Sequence, residues 1–143
     1  MNDPYLNEEN CYLRLLEEYK KHNSLTVACD YDNTLFDFHK KNYTFDAVIE
    51  LLKECQGLNF KLVIFSASPK ERHASIFEYC ESLGLLFDGI NQDVVDWRKE
   101  RVDGSLDYSQ SKIFFNILLD DRAGLESAYK TLRAVVDEIK KHI

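Results

Sequence analysis

No two of the four cysteines, Cys11, Cys29, Cys55 and Cys80, form a C-x-x-C pair, and each sits among apolar neighbours. This pattern argues against a zinc site or a disulfide framework and points to buried, reduced thiols. No apolar run is long enough to span a bilayer, and the opening stretch "MNDPYLNEEN" is too polar and acidic for a secretory leader. The expectation is a cytoplasmic protein without membrane contact. Positive charge is in deficit: the formal net charge is −7. Nonspecific attraction to nucleic acid or anionic lipid is therefore excluded as the main activity. Internal repeats, low-complexity tracts and linkers are also missing. What is there suits one packed domain over residues 1–143, with 45% hydrophobic and 13% aromatic residues.

The pattern alternates helix and strand. Residues from about Asn7 to His22 read as a helix with Leu6, Leu13, Leu16 and Tyr19 on one side. "LTVACD" is a short apolar run ending in charge, as expected of a strand buried on both faces. Thr44 is placed to cap a helix bearing Phe45, Val48, Ile49 and Leu52, with Gly57 suited to its end. "FKLVIFS" is a second strand. Ser68-Pro69-Lys70-Glu71 has the chemistry of a capping box opening a helix lined by Ile76, Phe77, Cys80 and Leu83, which Gly84 stops. "LLFDGI" is a weaker third strand, and 91–111 shows no period and reads as loop. "NILLDD" is the fourth strand. Leu125, Ala128, Leu132, Val135, Val136 and Ile139 then mark the last helix.

Strands separated by helices imply an α/β fold, a three-layer Rossmann-like parallel sheet flanked by helices. Such sheets bind ligands beyond the carboxyl ends of their strands, where strand order reverses. Asp30 and Asp32, Ser66, and Asp120 and Asp121 all fall at such ends. The sheet order fourth, first, second, third, with the switch point between first and fourth, makes the aspartates converge. Asp30, Asp32 and Asp121, supported by Asp120, would then offer oxygen ligands suited to Mg²⁺ with room for a phosphate. The cation cancels the repulsion that paired carboxylates otherwise suffer. Asp30, at the strand tip, is placed as a nucleophile toward phosphorus. Asp32 is placed to move protons, and its main-chain carbonyl is a further metal ligand. Thr34 would orient Asp32 through its hydroxyl. Asn33 suits a turn position with positive φ. Ser66, with the main-chain N–H groups from Ala67 into the helix start, forms a phosphate cradle. Lys112 would neutralise phosphoryl oxygens, and Arg122 is a candidate phosphate contact.

This ordered set resembles the haloacid dehalogenase-like (HAD) superfamily of hydrolases. The resemblance rests on Asp30-Tyr31-Asp32-Asn33-Thr34 for the D-x-D-x-T motif and on "LVIFS" ending at Ser66. Lys112 serves as the family lysine, and "ILLDD" carries the closing acidic pair. It covers roughly Leu25 to Gly124. The resemblance implies a Mg²⁺-dependent phosphatase with Asp30 as nucleophile, Asp32 as general acid and base, and Asp121 as metal ligand. The "DDR" stretch is similar to small capless phosphatases and to the phosphatase half of polynucleotide end-healing enzymes. The spans Thr34 to Lys61 and Ser66 to Lys112 are too short for a large cap domain. The implied site is open, and accepts a phosphorylated small molecule or a nucleic-acid end, or is covered by a second subunit in a homo-oligomer. The helix before the first strand could serve such a contact.

Other readings compete. A receiver-type phospho-acceptor carries its acidic pair after the first strand and its lysine last, the reverse of the order here. A noncatalytic binding protein of the same fold has no need of the full aspartate set, and dehalogenation has none of Mg²⁺ or Asp32. Lys70 and Arg72 read as a solvated face, and Phe36 and Phe38 as packing residues. Trp97, Arg98, Lys99, Arg101 and Tyr108 could form a substrate-reading lid, but the interleaved acids of that loop cancel its charge.

Overall fold

The computed structural model describes residues 3–94 and 113–143. Helix α1 (Glu8–His22) leads into strand β1 (Thr26–Cys29), helix α2 (Asp46–Gly57) and strand β2 (Lys61–Ile64). A 3₁₀ turn (Lys70–Arg72) then runs into α3 (His73–Ser82), followed by β3 (Gly89–Ile90), β4 (Ile117–Leu119) and α4 (Leu125–Lys140). The four strands form one parallel sheet in the order β3-β2-β1-β4. With its flanking helices this is an α/β fold of Rossmann-like layout, with the expected strand order and the expected switch point between β1 and β4.

The strands are short because each is a stretch of hydrophobic residues ended by a polar site residue or a turn. Their side chains alternate between two cores. Val27, Cys29, Leu62, Ile64 and Leu119 join one large core with Leu15 of α1, Leu52 of α2, Ile76 of α3 and Leu132 of α4. Each fully buried leucine there contributes about 2 kcal/mol. Ala28 and Val63 point the other way, into a small cluster with Ile113, packed by Val94, Phe115 and Leu118. All four described helices thus supply one core.

Three local readings are corrected. In α1 the inward face carries Tyr12, Leu15, Leu16 and Tyr19, whereas Leu6 is 86% and Leu13 49% exposed. Leu16 and Tyr19 lie on the expected side, but Tyr12 and Leu15 stand there in place of Leu6 and Leu13, since packing against α4 sets which stripe turns inward. Thr44 does not cap α2: Phe45 occupies the cap position and no side chain bonds the first turn. α2 does end at Gly57, with a left-handed residue two positions on at Asn59 (φ 64°), and Gly84 (φ 85°) follows the end of α3 as expected. Nor does Ser68 form a capping box. The chain after Pro69 makes a 3₁₀ turn with no side-chain cap, because the Ser68 hydroxyl is engaged elsewhere. The cysteines are free as expected, with Cys29, Cys55 and Cys80 buried and Cys11 half-buried. Burial pushes the Cys55 and Cys80 thiols up to about 12.

α2 and α4 are clamped by charge. Glu54 accepts from Arg133, whose Nη2 lies 2.7 Å from Oε1, and pairs with Lys140. Arg133, and next Lys140, hold the Glu54 carboxyl at about 2, against burial, which acts the other way. A lowered value means that the clamp contributes fully above the ordinary value of 4.5 and is lost as pH falls toward 2. Glu54→Gln is therefore expected to lose about 1 kcal/mol at pH 7, allowing for solvent screening of a part-exposed group. In urea melts the gap to the parent should mostly close by pH 2.5. A gap that stays constant with pH would mean that packing, not charge, is responsible.

Candidate functional site

The parallel register of β1 and β4 pairs Cys29 with Leu119. The next residue of each strand, Asp30 and Asp120, therefore emerges side by side. Asp30 is fixed there by its own N–H, which donates to the Leu119 carbonyl at 2.8 Å. Asp30, Asp120 and Asp121 each present a carboxylate oxygen within 4.8 Å of the others, a group able to hold a metal ion. Burial, then the Asp121 carboxyl beside it and the charge of Asp120, push the Asp30 carboxyl up to about 7, although the Tyr31 main chain pulls it down. Three oxygens crowded on a strand edge, one of them costly to ionise, fit a small hard cation: hard oxygen ligands of high charge and few in number are what Mg²⁺ takes.

The turn after β1 is built around one carbonyl. Tyr31 accepts from the N–H groups of Leu35 at 2.9 Å and Phe36 at 3.0 Å. The reversal needs a left-handed residue, and Asn33 supplies it with φ 60°, as the sequence suggests. Thr34 is fully buried, but its partner is not Asp32. Its hydroxyl donates to Asp121 Oδ1 at 3.2 Å and accepts from the Asp121 N–H at 3.2 Å. Thr34 thus ties the β1 turn to the acidic pair after β4.

Asp32 departs from expectation as well. Its carboxylate is not part of the three-aspartate cluster. Arg72 grips both of its oxygens, Nη1 to Oδ2 and Nη2 to Oδ1, each at 2.7 Å. Arg72 is therefore no solvated surface residue. The expected ligation of a metal by the Asp32 side chain is corrected accordingly.

Ser66 follows β2 by two residues. Its main chain is clamped by Asn91, which accepts from the Ser66 N–H at 2.8 Å and donates to its carbonyl at 2.7 Å. The Ser66 hydroxyl donates to Ser68 Oγ at 2.9 Å and accepts from the Ser68 N–H at 3.1 Å. Asn91 was not singled out from sequence. The signal was faint, an Asn after a two-residue strand in need of positive φ, which it has at 53°. Arg122 stands beside the acidic pair, its N–H on Asp120 Oδ1 at 2.9 Å.

These residues face one open cavity of about 1020 Å³, whose lining includes Asp30, Asp121, Ser66, Ala67 and Arg122. Phe38 is half exposed and also lines it, with His39 against its ring at 5.1 Å. Phe36 lines it too, and packs stacked on Tyr31 at 5.1 Å. Lys112 and most of the 91–111 loop, with its candidate lid residues, lie outside the described residues. Chemically, the arrangement offers a partly buried carboxylate at a strand tip, a cation site beside it, and polar hydrogen-bonding groups across an open cleft.

No protein-family model matches this sequence, and no curated protein sequence matches it. Its structure is similar to that of a conserved protein from Bacteroides thetaiotaomicron, at a TM-score of 0.57 and 22% identity, over 85% of this chain and 93% of that one. At that identity the likeness is one of fold alone.

Proposed function

We propose that this protein is a Mg²⁺-dependent phosphomonoester hydrolase of the capless HAD type, working through an aspartyl-phosphate on Asp30. The observation that carries the reading is the meeting of Asp30, Asp120 and Asp121 at the tips of β1 and β4, with carboxylate oxygens within 4.8 Å. The order of D-x-D-x-T, Ser66 and the closing acidic pair along the chain supports it.

Asp30, Asp121 and the Asp32 main-chain carbonyl would hold the ion, with Asp120 in support. When bound, Mg²⁺ neutralises phosphate oxygens and offsets the carboxylate repulsion. The chain's own residues do the rest. The Ser66 hydroxyl and the Ala67 N–H bind and orient the phosphate. An Asp30 oxygen attacks phosphorus as the bond to the leaving oxygen breaks, and Asp32, entering the reaction protonated on the oxygen turned away from Arg72, passes that proton to the leaving oxygen and releases the alcohol. Asp32, now a carboxylate, takes a proton from water. The hydroxide attacks the phosphorus, the phosphorus–Asp30 bond breaks, and phosphate leaves with Asp30 restored. The openness of the cavity suits a phosphorylated small molecule or a nucleic-acid end.

The test is phosphate release from a panel of phosphorylated metabolites and of DNA and RNA ends. With Mg²⁺ at least one substrate should turn over, and EDTA should suppress release by about a hundred-fold or more. Release unaffected by EDTA, or none from any substrate, would overturn the reading in favour of a noncatalytic binding protein.

A further inference from the structure

Arg72 does more than neutralise Asp32. Its fork closes on both carboxylate oxygens at 2.7 Å, and Nη1 donates a further bond to Ser68 Oγ at 2.9 Å. Ser68 Oγ in turn accepts from the Ser66 hydroxyl. The guanidinium carbon lies 5.2 Å from the Tyr31 ring centre, 5.7 Å from Phe36 and 5.5 Å from Phe38. Those three rings belong to the turn that carries Asp32. Arg72 sits at the end of the 3₁₀ turn in the chain but is bound by cation–π and ionic contacts to the β1 turn. Its side chain is 26% exposed and that of Asp32 30%, so the pair is partly desolvated, and a bidentate fork in that setting fixes the plane of the carboxylate as well as its charge.

We propose that Arg72 is a positioning residue for Asp32: it sets the plane of that carboxylate beside the phosphate cradle and, through Ser68, couples it to Ser66. The inference rests on the phosphatase reading above. It follows from donor accounting. Three of the five Arg72 N–H groups are engaged, two on Asp32 and one on Ser68, so the hold that the residue has on the site runs through Asp32. To protonate the leaving oxygen, one Asp32 oxygen turns from Arg72 while the other stays held, which limits the motion to a pivot. An ammonium group cannot reproduce such a hold, because Lys lacks the planar fork.

A double-mutant cycle with p-nitrophenyl phosphate and Mg²⁺ tests this. Arg72→Ala should lower kcat by about 10- to 100-fold with KM changed less than about threefold, and Arg72→Lys should fall nearly as far. In an Asp32→Asn background, Arg72→Ala should change kcat by no more than about twofold, since a residue acting through Asp32 has nothing left to position. Multiplying effects, a KM rise at unchanged kcat, or full rescue by lysine would each overturn the inference. Should Arg72→Ala not fold, Ser68→Ala breaks the same chain of bonds and keeps the charge. It should lower kcat a few-fold in the parent and not at all with Asn at position 32, and equal losses in both would overturn the inference. Absence of parental turnover on this ester and on every member of the substrate panel would sink the phosphatase reading itself. Parental turnover with an additive cycle would sink this inference alone.

Discussion

Asp30→Asn is expected to abolish Mg²⁺-dependent phosphate release, by about a thousand-fold or more, with the fold retained. Asparagine has the same shape, and the main-chain bond from residue 30 to the Leu119 carbonyl does not involve the side chain. What is lost is the oxygen nucleophile, since a neutral amide does not attack phosphorus at a useful rate. Asp30 is the choice among four nearby carboxylates for structural reasons. Asp32 is held at both oxygens by Arg72. Asp121 is tied to Thr34 and Asp120 to the Arg122 N–H. Asp30 alone stands at the end of a central strand, its carboxyl sharing a hydrogen bond with Asp121 and taking one from the Tyr31 main chain, with no cationic side chain fixed on it as Arg72 is on Asp32. Removing its charge from a crowded cluster should also leave the metal-free protein no less stable. Phosphate release measured beside a melting curve decides the matter. A well-folded variant with turnover within tenfold of the parent would move the nucleophile elsewhere.

Much of this site was legible in the sequence because its logic is topological. A run such as "LTVACD" announces a buried strand that ends in charge, and alternating helices force parallel neighbours. Right-handed crossovers then place the first and last strands side by side. Asp30 and Asp121 could be brought together from more than ninety residues apart without knowing a single side-chain angle. What failed was whatever depends on which partner a side chain finds. Leu13 and Leu15 both satisfy a helical period, and only the packing of α1 on α4 chooses Leu15. Ser68 has ideal cap chemistry, yet Ser66 and Arg72 claim its hydroxyl. Thr34 stands two residues from Asp32 in sequence and bonds Asp121 instead. Arg72 is one of many cations in the chain, and nothing local reveals that its turn faces the β1 loop. The Thr34 assignment favours a short-range bond where a tertiary one wins, whereas the Ser68 hydroxyl goes to other local partners, Ser66 and Arg72.

The second large effect concerns stability rather than rate. Asp30 is raised from 3.8 to about 7 by burial, by Asp121 and by Asp120. A raised carboxyl means that, between those values, the folded protein holds a proton that the unfolded chain has released. Stability from this group therefore falls as pH rises through that window. After allowance for solvent screening, the metal-free protein should be about 1–2 kcal/mol less stable at pH 7.5 than at pH 5 on this account, a shift of several degrees in Tm for a chain of this size. Mg²⁺ should reverse it: a large rise in Tm at pH 7.5, where the carboxylates are ionised and can bind, and little at pH 5, where protons compete. Asp121→Asn separates the causes. It removes one repelling charge and one ligand but keeps the main-chain N–H that donates to Thr34 Oγ1. Its metal-free stability should depend less on pH, and its response to Mg²⁺ should shrink to near that of the parent at pH 5. A variant that still gains full stability from Mg²⁺ would place the ion outside the strand tips. The same carboxylate crowding then has no cation to relieve it, and the case for drawing a phosphate onto Asp30 fails on electrostatics alone.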